Sequence, residues 1–464
     1  MEQLSSGTIS ELGRIFGKDT VLTDPGDCLP YGYDNSRRQA MPQAVVFATE
    51  HQQIQSLLQL CNRDGINLVA RGRGTGTTGA TVPDRGGIVL SLERMNRILE
   101  IDPDNRIARV EPGVTNMALQ QAAAEHGFFW PPDPTSSAIC TIGGNLAYNS
   151  AGPRAVKYGT PRENTLGLRA ITGSGQEIRT GVSTSKGVVG YDLTRLLIGS
   201  EGTLGVITEA ILKLTPIPEA KQTMRASYKD MHTAAKAVSA IMAQPVTPCA
   251  LEFMDGPAID LVRDFSEIEI DPQVGAILMI EVDGSAHCLE ESVTAVATAA
   301  RNHGLIELHT AETKEEIAQL WKARQSLSPA LRKVSPKKIN EDVVVPVSRI
   351  PQLLEGLQQL AADSGIRIVN FGHAGNGNIH VNLLTDPNDP EQMQRAQRCL
   401  DATFDLVLDL DGTLSGEHGV GLEKRDFIQR EIDPPTLRLM TDIKRQFDPA
   451  GILNPGKMFP PTDS

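Results

Sequence analysis

Between Gly372 and Asn382 the chain reads Gly-His-Ala-Gly-Asn-Gly-Asn-Ile-His-Val-Asn, and this stretch holds two of the nine histidines. An apolar run, Ile366 to Phe371, leads in, and the alternating Ile379-His380-Val381-Asn382 leads out. Period-two alternation around a Gly/Asn cluster predicts strand, tight turn, strand. His373 and His380 stand seven positions apart, so neither helical nor strand periodicity brings them together. A chain reversal does, and Gly375 and Gly377 permit one. Further on, Ser415-Gly-Glu-His-Gly-Val-Gly421 offers a carboxylate and a third imidazole, again among glycines. Two histidines and a glutamate (His373, His380, Glu417) are a common donor set for a divalent cation that keeps a position open for substrate. His418 is left as a base. Taken singly, each histidine is more often structural or solvated; three of nine in two glycine-framed stretches carry the joint reading.

These side chains need a scaffold, and 464 residues supply one of roughly two or three domains with substantial cores. Hydrophobic content of 40% and charged content of 22% are those of an ordinary globular protein. The net charge of −13 and the lack of a basic tract with interleaved aromatics argue against nucleic acid as a partner. Six cysteines without any C-x-x-C spacing exclude the usual iron–sulfur and zinc-finger arrangements and suit a reducing compartment. The start lacks a basic segment followed by an apolar one, and no apolar run approaches the ~20 residues of a membrane span. The expectation is a cytoplasmic protein, peripheral to a membrane only through a partner.

Residues 8–16 read as a short helix, 44–48 as a strand, 50–64 as an amphipathic helix and 67–70 as a second strand. That strand runs into Arg71-Gly-Arg-Gly-Thr-Gly-Thr-Thr-Gly79. A dinucleotide site of the Rossmann kind would open straight into a helix, whereas here the chain proceeds through Thr81-Val-Pro-Asp to another strand, 87–91. The backbone N–H groups of such a loop, with the hydroxyls of Thr75, Thr77 and Thr78, can still cradle a diphosphate. A second stretch, Pro131 to Gly152, pairs an extended proline entry with Gly143, Gly144 and a row of donors: Ser137, Thr141, Asn145, Asn149 and Ser150. A third, Ile198-Gly-Ser-Glu-Gly-Thr-Leu-Gly205, precedes an apolar run.

Together these three loops resemble the flavin domain of the vanillyl-alcohol oxidase/p-cresol methylhydroxylase superfamily, over roughly residues 40–218. The resemblance implies an α+β, two-part FAD-binding domain. It places cofactor contacts on Arg71, Gly72, Arg73, Gly74, Thr75, Gly76, Thr77, Thr78 and Gly79. More fall on Pro132, Asp133, Ser137, Thr141, Gly144, Asn145, Asn149, Ser150 and Gly152, and then on Glu201, Gly202, Gly205 and Ile207. Some members hold FAD through a His or Cys of the first loop; residues 71–79 contain neither, so the FAD is expected to be non-covalent.

Pro216-Ile-Pro218 marks a boundary, after which strand and helix signals alternate and suggest a mixed sheet with helices on one face. Residues 312–333 form a strong helix with Arg324 and Ser328 one turn apart; then come a short polar segment, 337–342, and a strand, 343–347. The 372–382 and 416–421 stretches and Leu453-Asn-Pro-Gly-Lys457 resemble the C-terminal domain of FAD-linked D-2-hydroxy-acid dehydrogenases. That group holds cytochrome-type D-lactate dehydrogenase, the flavin subunit of glycolate oxidase, and D-2-hydroxyglutarate dehydrogenase. The likeness implies metal ligation by His373, His380 and Glu417, with zinc, manganese and iron all compatible, and His418 as base. It also implies carboxylate binding by Arg324, a substrate contact at Ser328, and a return of the chain to the flavin at Asn454. The expected domains are an N-terminal segment 1–39, a flavin domain 40–218, a mixed-sheet α+β substrate and metal domain 219–450, and a closing segment 451–464.

The implied activity is oxidation of a D-2-hydroxy acid to the 2-oxo acid, with hydride passing to FAD. No iron–sulfur or haem motif is present, so the electron acceptor is external: a cytochrome, a quinone or an electron-transfer flavoprotein. A homodimer is compatible with this reading. D-2-Hydroxyglutarate dehydrogenases carry a lysine shortly before the strand that follows the long helix, and that position counts to Asn340. An amide supplies no charge to a second carboxylate, which favours D-lactate, although Lys337 or Lys338 could reach in. A glycolate oxidase flavin subunit is the other alternative. A non-catalytic flavin subunit, an NADPH-dependent reductase and a metal-only hydrolase each leave part of the His/Glu set or of the three loops without a use.

Overall fold

Residues 44–47 and 88–91 are apolar at nearly every position, which suits strands covered on both faces. They are the inner strands of the first sheet in the computed structural model, which describes residues 3–265 and 270–460. With Val21–Leu22 as β1, Ala44–Phe47 as β2, Leu68–Arg71 as β3 and Ile88–Ser91 as β4, the order is β1-β2-β4-β3, with β2, β4 and β3 parallel. The helix His51–Asp64 crosses from β2 to β3 and buries Ile54, Leu57, Leu58 and Leu60 in this core. Its start is fixed by the Gln53 side chain accepting the Glu50 N–H, and it stops at a left-handed Gly65.

A second, antiparallel sheet joins Ile98–Asp102 (β5), Ile107–Val110 (β6), Thr165–Thr172 (β8), Glu177–Gly181 (β9) and Gly205–Lys213 (β10) in the order β5-β6-β10-β8-β9. Phe128–Phe129 (β7) pairs with Thr215–Pro216 (β11) beside it. Beyond the extended proline entry at Pro131, the second stretch contains a helix that its sequence did not announce, Ile142–Tyr148. Its two glycines are poor helix formers, but the Thr141 hydroxyl caps Gly144 N–H and Ile142 and Leu146 are buried. These sheets belong to one compact unit, Met1–Ala151, Gly159–Ile217 and Glu417–Ser464. The chain therefore rejoins this unit at Glu417, earlier than the residue 451 expected from sequence.

The other unit, Gly152–Tyr158 and Pro218–Gly416, is built on seven strands. These are Ala220–Tyr228 (β12), Ala250–Asp255 (β13), Ala276–Gly284 (β14), Leu305–Thr310 (β15), Lys337–Val344 (β16), Arg367–Gly372 (β17) and Asn378–Thr385 (β18). The order is β15-β12-β14-β13-β17-β18-β16, and every neighbouring pair is antiparallel, where a mixed sheet was expected. Met254, Ile277, Met279, Val369 and Phe371 pack against the helices Gly256–Phe265 and Lys314–Val334. Tyr228, opposite Ala276 and hence on the other side, gives its hydroxyl to the Ala300 carbonyl at the end of the helix Leu289–Ala300. Both faces are covered, not one. β16 also begins at Lys337 rather than at residue 343, because its polar residues pair along the whole of β18.

Candidate active site

The reversal between β17 and β18 is one 3-10 turn, Ala374–Asn376, closed by Gly377 in the left-handed region at φ 76°. A Cβ on Gly377 would lie 1.9 Å from the Val345 carbonyl oxygen, so only glycine fits. This brings the buried rings of His373 and His380 together, with centroids 5.2 Å apart and planes at 82°. Phe371 and Asp342 are the cross-strand partners of His380, so all three share the face covered by the helix Lys314–Val334. Asn340 opposite Asn382 and Lys338 opposite Leu384 lie along the same row.

Asp342 is fully buried, and it fixes the approach to Glu417. Its carboxylate accepts the Ser415 hydroxyl at 3.1 Å and the Gly416 N–H at 2.9 Å. Glu417 is the next residue of the chain, the first of its return to the other unit. Two imidazoles and one carboxylate, those of His373, His380 and Glu417, are a chemically sound donor set for zinc, manganese or iron(II).

From Glu417 onward the chain is bonded to each glycine-rich loop. The Ser150 hydroxyl donates to the Glu417 carbonyl at 3.3 Å, and the Thr78 hydroxyl donates to the His418 carbonyl at 3.2 Å. Glu201 accepts the N–H groups of Val420 and Gly421. Burial pushes the Glu201 carboxyl up to about 7, although these bonds and the charges of Lys424 and Lys457 work against it.

The three loops share a cavity with about 620 Å³ of open space. Arg71 and Gly72 come from the first loop, Thr141, Gly144 and Tyr148 from the second, and Ser200, Glu201, Gly202, Gly205 and Ile207 from the third and the strand after it. Two features fit a flavin nucleotide here. A Cβ on Gly202 would meet nothing within 4 Å, so the main chain lies bare toward open space. Asn454 donates to the carbonyls of Ala80 and Glu201, while its Oδ1 is buried without a hydrogen-bond partner among the described residues.

Several expected cofactor residues have structural duties. The Arg71 guanidinium turns back to the Tyr33 and Pro30 carbonyls and the Thr81 hydroxyl, while Arg73 pairs with Glu93 at 3.0 Å. The Thr75 and Gly76 carbonyls accept from Asn35. Asn145 takes a bond from Asn116, which also holds the Pro132 carbonyl; the Asn149 side chain accepts from Thr160 and Arg162. Asp133 N–H donates to Ala151, and the Ser137 carbonyl accepts from Met117. Gly74, Thr77 and Gly79 remain in the first loop, and Gly152 falls in the other unit.

Arg324 is buried on the helix Lys314–Val334, with its guanidinium 4.8 Å over the Phe371 ring. Its Nε donates to Glu252 Oε2 at 2.7 Å, and the other carboxylate oxygen of Glu252 meets His373 Nδ1 at 2.5 Å. Burial works to raise the Glu252 carboxyl, but its contacts with His373 and Arg324 prevail and hold it below its ordinary value. One turn on, the Ser328 hydroxyl accepts from Lys338 Nζ at 2.9 Å.

Glu252 and Asp342 escape a reading of sequence. Each is an acid within or beside an apolar run (Ala250-Leu-Glu-Phe253, Glu341-Asp-Val-Val-Val345), and a lone buried acid in a strand demands a cationic or N–H partner. That was the available signal.

A model described as "FAD binding domain" matches residues 42–181, and one described as "FAD linked oxidases, C-terminal domain" matches residues 217–458. The chain is 40% identical over 450 residues to the glycolate oxidase subunit GlcD of Bacillus subtilis, covering 97% of this chain and 96% of that one. It is 33% identical over 429 residues to a D-lactate dehydrogenase of Anaerostipes hadrus, covering 90% of each. Among solved structures, p-cresol methylhydroxylase with substrate bound superposes with a TM-score of 0.79 at 18% identity over 98% of both chains, a likeness of fold. With three glycine-rich loops around one cavity and matches over nearly its whole length, this chain belongs to the FAD-linked oxidase family of oxidoreductases.

Proposed function

We propose that the protein oxidises a small D-2-hydroxy acid, D-lactate in the first instance, to the 2-oxo acid and passes the electrons to an external acceptor: a cytochrome, a quinone or an electron-transfer flavoprotein. The observation that supports it best is the bonding of Glu417–Gly421 to Ser150, Thr78 and Glu201, one residue from each loop around the flavin cavity. That bonding ties the backbone at His418, the proton acceptor of this reading, to the loops around the cavity.

FAD bound in the cavity would supply a hydride acceptor for substrate C2, and His373, His380 and Glu417 would hold a divalent cation supplying Lewis acidity toward the substrate hydroxyl. Arg324 forks onto the substrate carboxylate through its Nη edge, since Nε is engaged by Glu252. Ser328 adds a hydroxyl contact one turn along. Neutral His418 receives the hydroxyl proton, so substrate loses one hydride and one proton in total. The loops hold FAD without a covalent bond, and acid precipitation should leave the yellow colour in solution.

Anaerobic titration of the flavin spectrum tests the whole reading. Bleaching by D-lactate or glycolate, with no response to NADPH, supports it; bleaching by NADPH alone overturns it. Lys338 favours a second reading. Its Nζ on Ser328 supplies a cation beside the substrate helix, which suits the distal carboxylate of D-2-hydroxyglutarate.

A further inference from the structure

We propose that Glu252 is a positioning residue that sets both the substrate-binding arginine and the cation-binding histidine through one buried carboxylate. This rests on the roles given above to Arg324 and His373. Glu252 is 1% exposed on β13; Arg324 reaches it from the helix Lys314–Val334 and His373 from the end of the neighbouring β17, at sequence separations of 72 and 121 positions. Each of its oxygens serves one partner, Arg324 Nε at 2.7 Å and His373 Nδ1 at 2.5 Å.

The chemistry of that division is specific. An ionised carboxylate only accepts hydrogen bonds, so His373 must carry its proton on Nδ1. Nε2 is then the nitrogen with a lone pair for a cation, and its basicity is raised by the carboxylate behind it. On the other side, Nε of Arg324 is committed and the guanidinium is stacked on Phe371, so its remaining edge is presented in a fixed plane. One acid thus orients the two groups that grip a 2-hydroxy acid at its carboxylate and at its hydroxyl.

Glutamine cannot replace it. An amide offers one acceptor and one donor where two acceptors are required. If its oxygen keeps Arg324, its NH2 faces His373 Nδ1 and drives the ring proton onto Nε2, which abolishes the ligand. If its oxygen keeps His373, two donors face each other at Arg324 Nε.

The test compares the flavin-loaded wild type with Glu252→Gln and Glu252→Asp. Mn2+ affinity is measured by calorimetry after chelation and dialysis. Oxalate, an acid with no C2 hydride, is titrated against the flavin spectrum of the chelated protein. Glu252→Gln should bind Mn2+ about 10–100-fold more weakly, or bind oxalate at least tenfold more weakly, and Glu252→Asp should fall between it and wild type. Mn2+ and oxalate affinities both within twofold of wild type in Glu252→Gln overturn the proposal. If Glu252→Gln does not fold, the aspartate variant decides: weakened Mn2+ or oxalate binding supports the role, and unchanged binding of both overturns it. If wild type takes no Mn2+, it is the cation reading that fails, and the oxalate titration alone decides whether Glu252 positions Arg324.

Discussion

Glu201 Oε2 accepts the Gly421 N–H at 2.8 Å, and Oε1 accepts the neighbouring Val420 N–H at 2.6 Å, so a buried acid of the third glycine-rich loop grips the chain just past His418. The backbone of Glu201 is itself in the left-handed region, φ 52°, a conformation that costs a non-glycine residue energy and persists only where its surroundings enforce it. The Asn454 side chain holds its carbonyl, and its N–H donates to Ala147. The third glycine-rich loop and the segment that carries His418 are therefore one construction.

Removing that grip should cost both stability and turnover. Glu201→Ala orphans two buried N–H groups at about 1–3 kcal/mol each, and thermal melting should show the loss. Glu201→Gln isolates the charge. In the folded protein burial keeps the proton on Glu201 up to about 7, whereas the unfolded chain releases it near the ordinary value of 4.5. The folded state thus holds more protons between those values, and this group's contribution to stability is present below the lower one and declines as pH rises toward 7. A plot of melting temperature against pH between 5 and 7 should be flatter for Glu201→Gln than for wild type. Parallel curves would refute the shift.

Chelation bears on His373, His380 and Glu417. Dialysis against a strong chelator should abolish turnover while the flavin remains bound, because its cavity is formed by other residues. Zn2+ or Mn2+ should restore activity, and His380→Ala should not be restored. Full activity in chelated protein with no metal by elemental analysis would remove the cation from the mechanism.

The local geometry of the candidate site was readable where the backbone demands particular residue types. The paired histidines around Gly377, the Glu417–His418 pair and the three loops announce themselves by glycines placed where the backbone must turn or lie bare. The helix His51–Asp64 was legible from its apolar spacing alone. What escaped depends on partners distant in sequence. Lys337–Asp342 looks like a polar linker, and only its pairing with the buried β18 makes it strand and sets Lys338, Asn340 and Asp342 on one side. Glu252 meets Arg324 across 72 positions, a relation no local pattern encodes. The helix Ile142–Tyr148 opposes its own glycine-rich propensity, and packing overrides it.

His418→Ala separates the base from the ligands. FAD content and metal content should match wild type, while turnover should fall by ~10²–10⁴-fold, the usual worth of a general base. An alanine variant with wild-type kcat would move proton removal to another group. Loss of flavin from this variant would show instead that the side chain, and not only the backbone bonded to Thr78, maintains the cavity.

The choice between one and two carboxylates turns on Lys338. Sequence counting put Asn340 at the position where a charge was wanted, but the strand register sets Lys338 two residues earlier on the same side, with its Nζ 2.9 Å from Ser328 Oγ. A cation at that point can pair with a distal carboxylate; a monocarboxylate has no group to offer it. If the protein prefers D-lactate, Lys338→Ala should leave kcat/KM for D-lactate within about threefold, the small effect of a surface-like lysine. If it prefers D-2-hydroxyglutarate, the same change should lower kcat/KM for the dicarboxylate by about 10–100-fold, corresponding to roughly 1.5–3 kcal/mol for a charge-assisted bond, and act mainly through KM. Measuring both acids with both proteins settles the preference. A Lys338→Ala variant that loses D-lactate activity as severely would show that the lysine holds Ser328 in place for either substrate.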